Sequence, residues 1–124
     1  MKGKTILLVE DNPKLMRNNK TLLTSLGAFV LTAATLAEAR SLLNAEIDAA
    51  VINITLPDCL SLLKEIRAAS SDISTLPVLF LTMGETNDII NGLASGADDY
   101  LAQPYDLNDL AARLYTLLRK TNEK

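Results

Sequence analysis

Short continuous runs of Val, Ile, Leu and Ala alternate along the chain with longer segments whose apolar residues recur every three or four positions. The runs read as strands and the periodic segments as helices. Strict alternation of the two predicts a parallel sheet covered by helices. Strands are expected at 5–10, 28–33, 49–54, 77–82 and 98–102, and helices at 13–26, 36–45, 59–69, 86–95 and 107–120. The third and fourth strands, AAVINI and PVLFLT, are almost wholly apolar, which marks them as central and buried on both faces. The polar stretch 70–75 reads as a plain connection.

Local signals agree with these boundaries. Asn12 is placed to cap the first helix, with Pro13 at the first helical position and Gly27 as the stop. Leu15, Met16, Leu22, Leu23 and Leu26 form the inward stripe of that helix, and Asn19 interrupts it. Thr35 and Glu38 have the spacing of a capping box. Thr86 is the expected cap of the fourth helix and Asp106 of the fifth. Leu107, Leu110, Leu114, Leu117 and Leu118 make the inward stripe of the fifth helix, while Arg119 and Lys120 suit its C-terminal dipole. Residues 1–120 form one domain in this reading, and 121–124 are a tail or the start of a linker.

At 124 residues and 48% hydrophobic, the chain is long enough to bury a core of its own. One cysteine, Cys59, excludes an internal disulfide, and the absence of His excludes a His-containing metal site. No apolar run reaches the roughly 20 residues of a membrane span, so a cytoplasmic protein without membrane contact is expected. A net charge of −3 argues against direct nucleic-acid binding, which draws on clustered Lys and Arg.

In a doubly wound sheet, loops after the strands share one edge, where ligands sit. That edge receives Glu10 and Asp11 after the first strand, Asn53 after the third, Thr82 after the fourth and Gln103 after the fifth. An acid pair at a strand end is by itself as consistent with a solvated turn as with a site. However, LLVEDN, LPD, LKEIR, PVLFLT, GADDYL and QPY, in this order and spacing, resemble the receiver domain of bacterial two-component response regulators. GADDYL and LAARLYTLLRK look most like receivers of the OmpR/PhoB type, which precede a winged-helix DNA-binding domain.

The resemblance implies a CheY-like, flavodoxin-like (βα)5 fold with strand order 2-1-3-4-5. It also implies a non-enzymatic signalling role in which a histidine kinase gives a phosphoryl group to an Asp ending the third strand. Here Asn53 stands at that position and Gln103 at the place of the pocket Lys, before a Pro that is often cis in the family. Glu10, Asp11 and the carbonyl of Thr55 match the magnesium positions, Thr82 the switch hydroxyl and Tyr100 the switch aromatic. An amide is a very poor nucleophile, so phosphotransfer at Asn53 is expected to fail. Gln103 supplies no cation to neutralise developing charge. With one carboxylate ligand gone, magnesium binding is expected to be weak or absent, and no other cofactor is implied.

Asp and Lys are lost together, which leaves the pocket charge unchanged and spares it a crowd of unpaired carboxylates. The amides of Asn53 and Gln103 are expected to bond to each other or to Asp11. Met83 adds bulk beside the pocket, and the loop LPDCLSLL looks shortened, with Cys59 where Gly is expected. Asp58 lies too far out to replace the acceptor.

By resemblance the fourth helix, fifth strand and fifth helix form an output face that pairs into a homodimer, with Asp98, Asp99, Arg113 and Arg119 as its charged residues. Ile89 and Asn91 replace expected basic residues, which shifts such a dimer towards apolar contact, more so if Ile89 or Ile90 is exposed. The chain is thus expected to be an atypical receiver that reaches DNA only through a further domain beyond Lys124. A stand-alone adaptor is the alternative. A flavin-type phosphate site is disfavoured because VEDNPK lacks the glycines that let backbone amides cradle a phosphate.

Overall fold

The apolar runs form five parallel strands, β1 (Thr5–Val9), β2 (Phe29–Ala33), β3 (Ala49–Asn53), β4 (Val78–Thr82) and β5 (Asp99–Ala102). The periodic segments form α1 (Pro13–Ser25), α2 (Leu36–Leu42), α3 (Cys59–Ala68), α4 (Thr86–Ala94) and α5 (Leu107–Asn122). The structure, a computed structural model, describes the backbone of residues 1–122 and side chains through residue 119. Strand order is β2-β1-β3-β4-β5, as the resemblance implied. Every residue of β3 and β4 is buried.

Period-two alternation divides the core into two layers. Leu7 and Val9 of β1, Ala50 and Ile52 of β3, and Val78 and Phe80 of β4 face one layer with α2 and α3. Ile6, Leu8, Ala49, Val51, Leu79 and Leu81 face the other, closed by Leu23 of α1 and Leu110, Leu114, Leu117 and Leu118 of α5. Leu107, expected in that stripe, is 38% exposed because it opens the helix ahead of the first turn that reaches the sheet.

Most caps form as the sequence indicates. The Asn12 side chain accepts from the amides of Lys14 and Leu15 at 2.9 and 3.1 Å. The Asp106 carboxylate accepts from the Asn108 amide at 2.8 Å. The Thr35 hydroxyl accepts from the Glu38 amide, but Glu38 reaches one residue further back, to the amide of Ala34. The fourth helix differs from expectation: Glu85 is its N-cap, no side chain caps it, and Thr86 is its first residue. α2 stops at Leu42 because Leu43 is extended. The 70–75 connection contains a short 3-10 turn, Asp72–Thr75. α5 continues through Asn122, so the first half of the expected tail is helical, and 123–124 lie outside the described residues together with the Lys120 side chain.

Gly92 sets how closely α4 can approach the sheet. A Cβ there would stand 2.7 Å from the Phe80 ring and 2.9 Å from Cδ1 of Ile54. Arg67 ties α3 to the α3–β4 and α4–β5 connections: its Nε donates to the Gly96 carbonyl, Nη1 to those of Ser74 and Leu76, and Nη2 to Asp98. We expect Gly92→Ala to lower unfolding free energy by about 1–3 kcal/mol through overpacking, outweighing the ~1 kcal/mol of helix propensity gained. Urea denaturation measures the difference.

Candidate functional site

Register determines which side chains meet at the carboxyl edge. Val9 pairs with Ile52 in the β1–β3 ladder, so the next rung brings Glu10 beside Asn53. Both follow the alternation towards the α1 and α5 side, after Ile6 and Leu8 on β1 and Ala49 and Val51 on β3. There the Asn53 amide nitrogen donates to Oε2 of Glu10 at 2.7 Å. The Asn12 amide donates to the same oxygen at 3.1 Å. The other end of the Asn53 amide accepts from the backbone amide and hydroxyl of Thr55, at 2.9 and 2.8 Å.

Asn53 and Glu10 are almost fully buried, at 4% and 1% exposure. Oε1 of Glu10 has no hydrogen-bond partner among the described residues. Burial pushes the Glu10 carboxyl above the ordinary carboxylate value, and the hydrogen bonds from Asn53 and Asn12 oppose that rise without cancelling it. The arrangement does not fit magnesium as it stands. The Asn53 amide points a donor at Glu10 and spends its oxygen on Thr55, so neither end of it is turned to a cation. Among the described residues no three His, Cys, Asp or Glu side chains cluster closely enough to hold a metal.

The expected bond between Asn53 and Gln103 or Asp11 is not made. Asn53 spends its amide nitrogen on Glu10 and its amide oxygen on Thr55. Gln103 instead lines a groove of about 210 Å³ beside Leu15, Asn18 and Asn19 of α1. Its bond to Pro104 is cis. Asp11 is exposed and, unlike Glu10, accepts no loop amide. Thr82 is fully buried, and its hydroxyl accepts from the Gly84 amide at 3.2 Å. Tyr100 is half-buried and stacks on Phe80 with ring centroids 5.9 Å apart. Met83 is exposed.

In the β3–α3 loop the left-handed residue is Asp58, at φ 63°, rather than Cys59 where the resemblance placed a glycine. Cys59 begins α3 with its thiol buried and pushed up to about 12, an unreactive state.

Asn19 carries a role that the sequence showed only as a break in a stripe. It is 1% exposed, and its amide donates to the Tyr105 hydroxyl at 2.9 Å and accepts from it at 3.2 Å. Tyr105 follows the QP pair, so this contact fastens the loop bearing Gln103 to α1.

On the output side, three of the four expected interface charges, Asp98, Asp99 and Arg113, are engaged within the chain. Asp98 accepts from the Val78 amide at 2.8 Å and from Arg67 at 2.9 Å. Arg113 donates to both oxygens of Asp99, at 3.0 and 3.1 Å, and also to Asp109. Arg119 is exposed. Ile90 is 57% and Leu93 41% exposed, one turn apart on α4, while Ile89 is half-buried.

A β2-β1-β3-β4-β5 sheet with an acid pair, a strand-end polar residue and a cis-proline loop at one edge defines a receiver-type signalling module. The response regulator receiver domain family matches residues 6–115, and the chain belongs to that family. It is 40% identical to the virulence transcriptional regulatory protein PhoP of Salmonella typhimurium, over 94% of this chain and 53% of that protein. It is 41% identical to the transcriptional regulatory protein QseB of Haemophilus influenzae, over 93% of this chain and 52% of the relative. The chain thus spans about half the length of these curated relatives. Among solved structures it is similar to the receiver domain of sensor histidine kinase PA1611 from Pseudomonas aeruginosa PAO1, which has a magnesium ion coordinated in its active-site cleft. That likeness has a TM-score of 0.85 and 35% identity, covering 94% of this chain and 98% of the other.

The raised Glu10 value gives its protonated form a stability advantage that is present below the unfolded value and lost as pH rises through the folded one. Relative to wild type, Glu10→Gln is therefore expected to gain stability as pH rises from 4.5, the ordinary value, through the raised folded value and to level off above it, which thermal melts at a series of pH values measure. Asn53→Asp sets a second carboxylate against Glu10 and is expected to cost about 1–3 kcal/mol at neutral pH. That cost should shrink on acidification in the same melts.

Proposed function

We propose that this receiver domain has given up phosphotransfer and works as a phosphorylation-independent interaction module. It controls a DNA-binding output through self-association of the α4–β5–α5 face. The observation that carries the reading is the Asn53–Glu10 hydrogen bond, in which an amide occupies the acceptor position and is consumed by its neighbour. No carboxylate is available there to form an acyl phosphate, and Gln103 brings no cation to the edge. A DNA-binding output is supported by the PhoP and QseB relatives, both transcriptional regulatory proteins about twice this length.

The exposed Ile90 and Leu93 support an apolar centre for the dimer. Charged residues of the face already have intrachain partners, and exposed ion pairs add only about 0–1 kcal/mol each. Magnesium is expected to bind weakly or not at all, because an amide stands in place of a carboxylate at position 53 and its oxygen is already engaged by Thr55.

Incubation with radiolabelled acetyl phosphate and magnesium is expected to leave the wild-type chain unlabelled, whereas the double substitution Asn53→Asp/Gln103→Lys regains label. Stoichiometric labelling of the wild type would overturn the reading. Ile90→Lys is expected to weaken self-association about tenfold or more in sedimentation equilibrium, the effect of removing an apolar anchor worth roughly 1.4 kcal/mol.

A further inference from the structure

The strand order leaves β2 and β5 each with one unpaired side. Edge strands ordinarily carry a charge, a proline or a bulge that discourages pairing with another chain. β5 opens on Asp99, whose carboxylate is held by Arg113 at 3.0 Å. β2 has none of these devices: its sequence is FVLTA, and it keeps an unbroken register with β1 from Phe29 to Ala33. Phe29 is 67% exposed, the highest value of any large apolar side chain among the described residues.

Hydrogen bonds to β1 show which backbone groups of β2 are left over. The Phe29 amide donates to the Lys4 carbonyl at 2.8 Å, and the Ala33 carbonyl accepts from the Glu10 amide at 2.9 Å. Alternation along a parallel ladder therefore turns the N–H and C=O of Phe29, Leu31 and Ala33 towards β1, and those of Val30 and Thr32 towards the free side. These four outward groups have no hydrogen-bond partner among the described residues. Two donors and two acceptors spaced in this way complement themselves. In an antiparallel pair centred on Leu31, Val30 exchanges both bonds with Thr32 of a second copy, and Thr32 exchanges both with Val30.

Side chains and charges fit the same register. Leu31 packs against the α2 and α3 layer, and Phe29 shares its face by alternation. Across the twofold axis Leu31 stands opposite its own copy, with Phe29 diagonal to it and opposite the small Ala33. The two ends of β2 carry opposite charge. Lys2 lies against Gly27 at the amino end, where a Cβ on Gly27 would stand 3.2 Å from Cα of Lys2. Glu38 sits at the carboxyl end, its Oε2 accepting from the Ala34 amide at 3.1 Å. Both side chains are exposed. Antiparallel pairing sets Gly27 opposite Thr35 and Ala28 opposite Ala34 of the second copy, so Lys2 faces Glu38 at both ends. Parallel pairing would set like charges together.

We propose that β2 pairs antiparallel with β2 of a second copy of this chain, joining two five-stranded sheets into one. This edge is the far one from α4–β5–α5, so the two interfaces are independent, and used together they link copies into an open chain.

The test uses the intact chain carrying Ile90→Lys, which takes association at the other face out of the readout. Amide hydrogen exchange is followed by NMR as protein concentration rises. Exchange at Val30 and Thr32 is expected to slow with concentration, while Phe29, Leu31 and Ala33, already bonded to β1, keep their rates. In sedimentation equilibrium, Lys2→Glu and Glu38→Lys are each expected to weaken the dimer about threefold or more, as reversal of exposed ion pairs does. An equimolar mixture of the two variants should restore it, because the mixed pair has opposite charges at both ends, and misfolding would not produce that rescue. Exchange at Val30 and Thr32 that ignores concentration, equal slowing at all five amides, or a mixture no tighter than either variant alone overturns the proposal. Wild-type association that Ile90→Lys leaves unchanged would overturn the α4–β5–α5 dimer instead and leave the β2 pair standing.

Discussion

A carboxylate taken out of water has to find donors, and at the centre of this edge the donor is an amide. Glu10 and Asn53 are forced together by the β1–β3 register, one rung beyond Val9 and Ile52, and both are turned into the layer closed by α1 and α5. The 2.7 Å bond between them is what makes it possible to bury a charge-bearing group with one oxygen unpartnered. With a second carboxylate on the same rung, two like charges would share a buried space and would call for a counter-charge from outside. An amide removes that demand.

Other features of the edge follow from this local neutrality. Gln103 has no carboxylate cluster to balance, and it lies along α1 instead of reaching across β4. The loop that carries it is held by a neutral pair, Asn19 and Tyr105, rather than by an ion pair across the pocket. Tyr105 itself is pushed up chiefly by burial, with a smaller contribution from the nearby Glu10 charge. Thr82 turns its hydroxyl to its own loop, towards the amide of Gly84. The Asn53 amide is thus engaged at both ends, while the exposed Asp11 and Asp58 lie further out along the edge, where Asp11 adds to the rise of the Glu10 carboxyl.

Much of the fold was legible because the strands are nearly uniform apolar runs and their caps are strong. Asn12, Pro13 and Asp106 signal helix starts by chemistry that acts within three residues, and no tertiary contact overrides it. Errors gathered where local signals are weak or distance matters. Glu85 rather than Thr86 ends the β4–α4 turn because the backbone stays extended through Glu85, and no side-chain cap favours either residue. Leu107 fits the stripe by spacing but precedes the part of α5 that touches the sheet. That Asn53 is a polar group at the carboxyl edge was readable from its place at the end of an apolar strand. Its partner was not, because residue type alone does not choose among the polar groups of that edge, whereas counting rungs from Val9 and Ile52 leads to Glu10. Asn19 was visible as an interruption, but its partner lies 86 residues away, and no local pattern shows that.

The guanidinium of Arg67 reaches four acceptors on two separate loops: Ser74 and Leu76 in the connection from α3 to β4, and Gly96 and Asp98 in the loop from α4 to β5. Asp98 completes the junction by accepting from both Arg67 and the first residue of β4. Two loops thereby share one rigid planar template. The lengths of those loops are consequently coupled, since an insertion in either of them would carry its carbonyl off the fork and leave a donor unmatched. Surface loops in general absorb insertions at little cost, whereas at this corner a backbone carbonyl displaced by one residue loses its place on the fork.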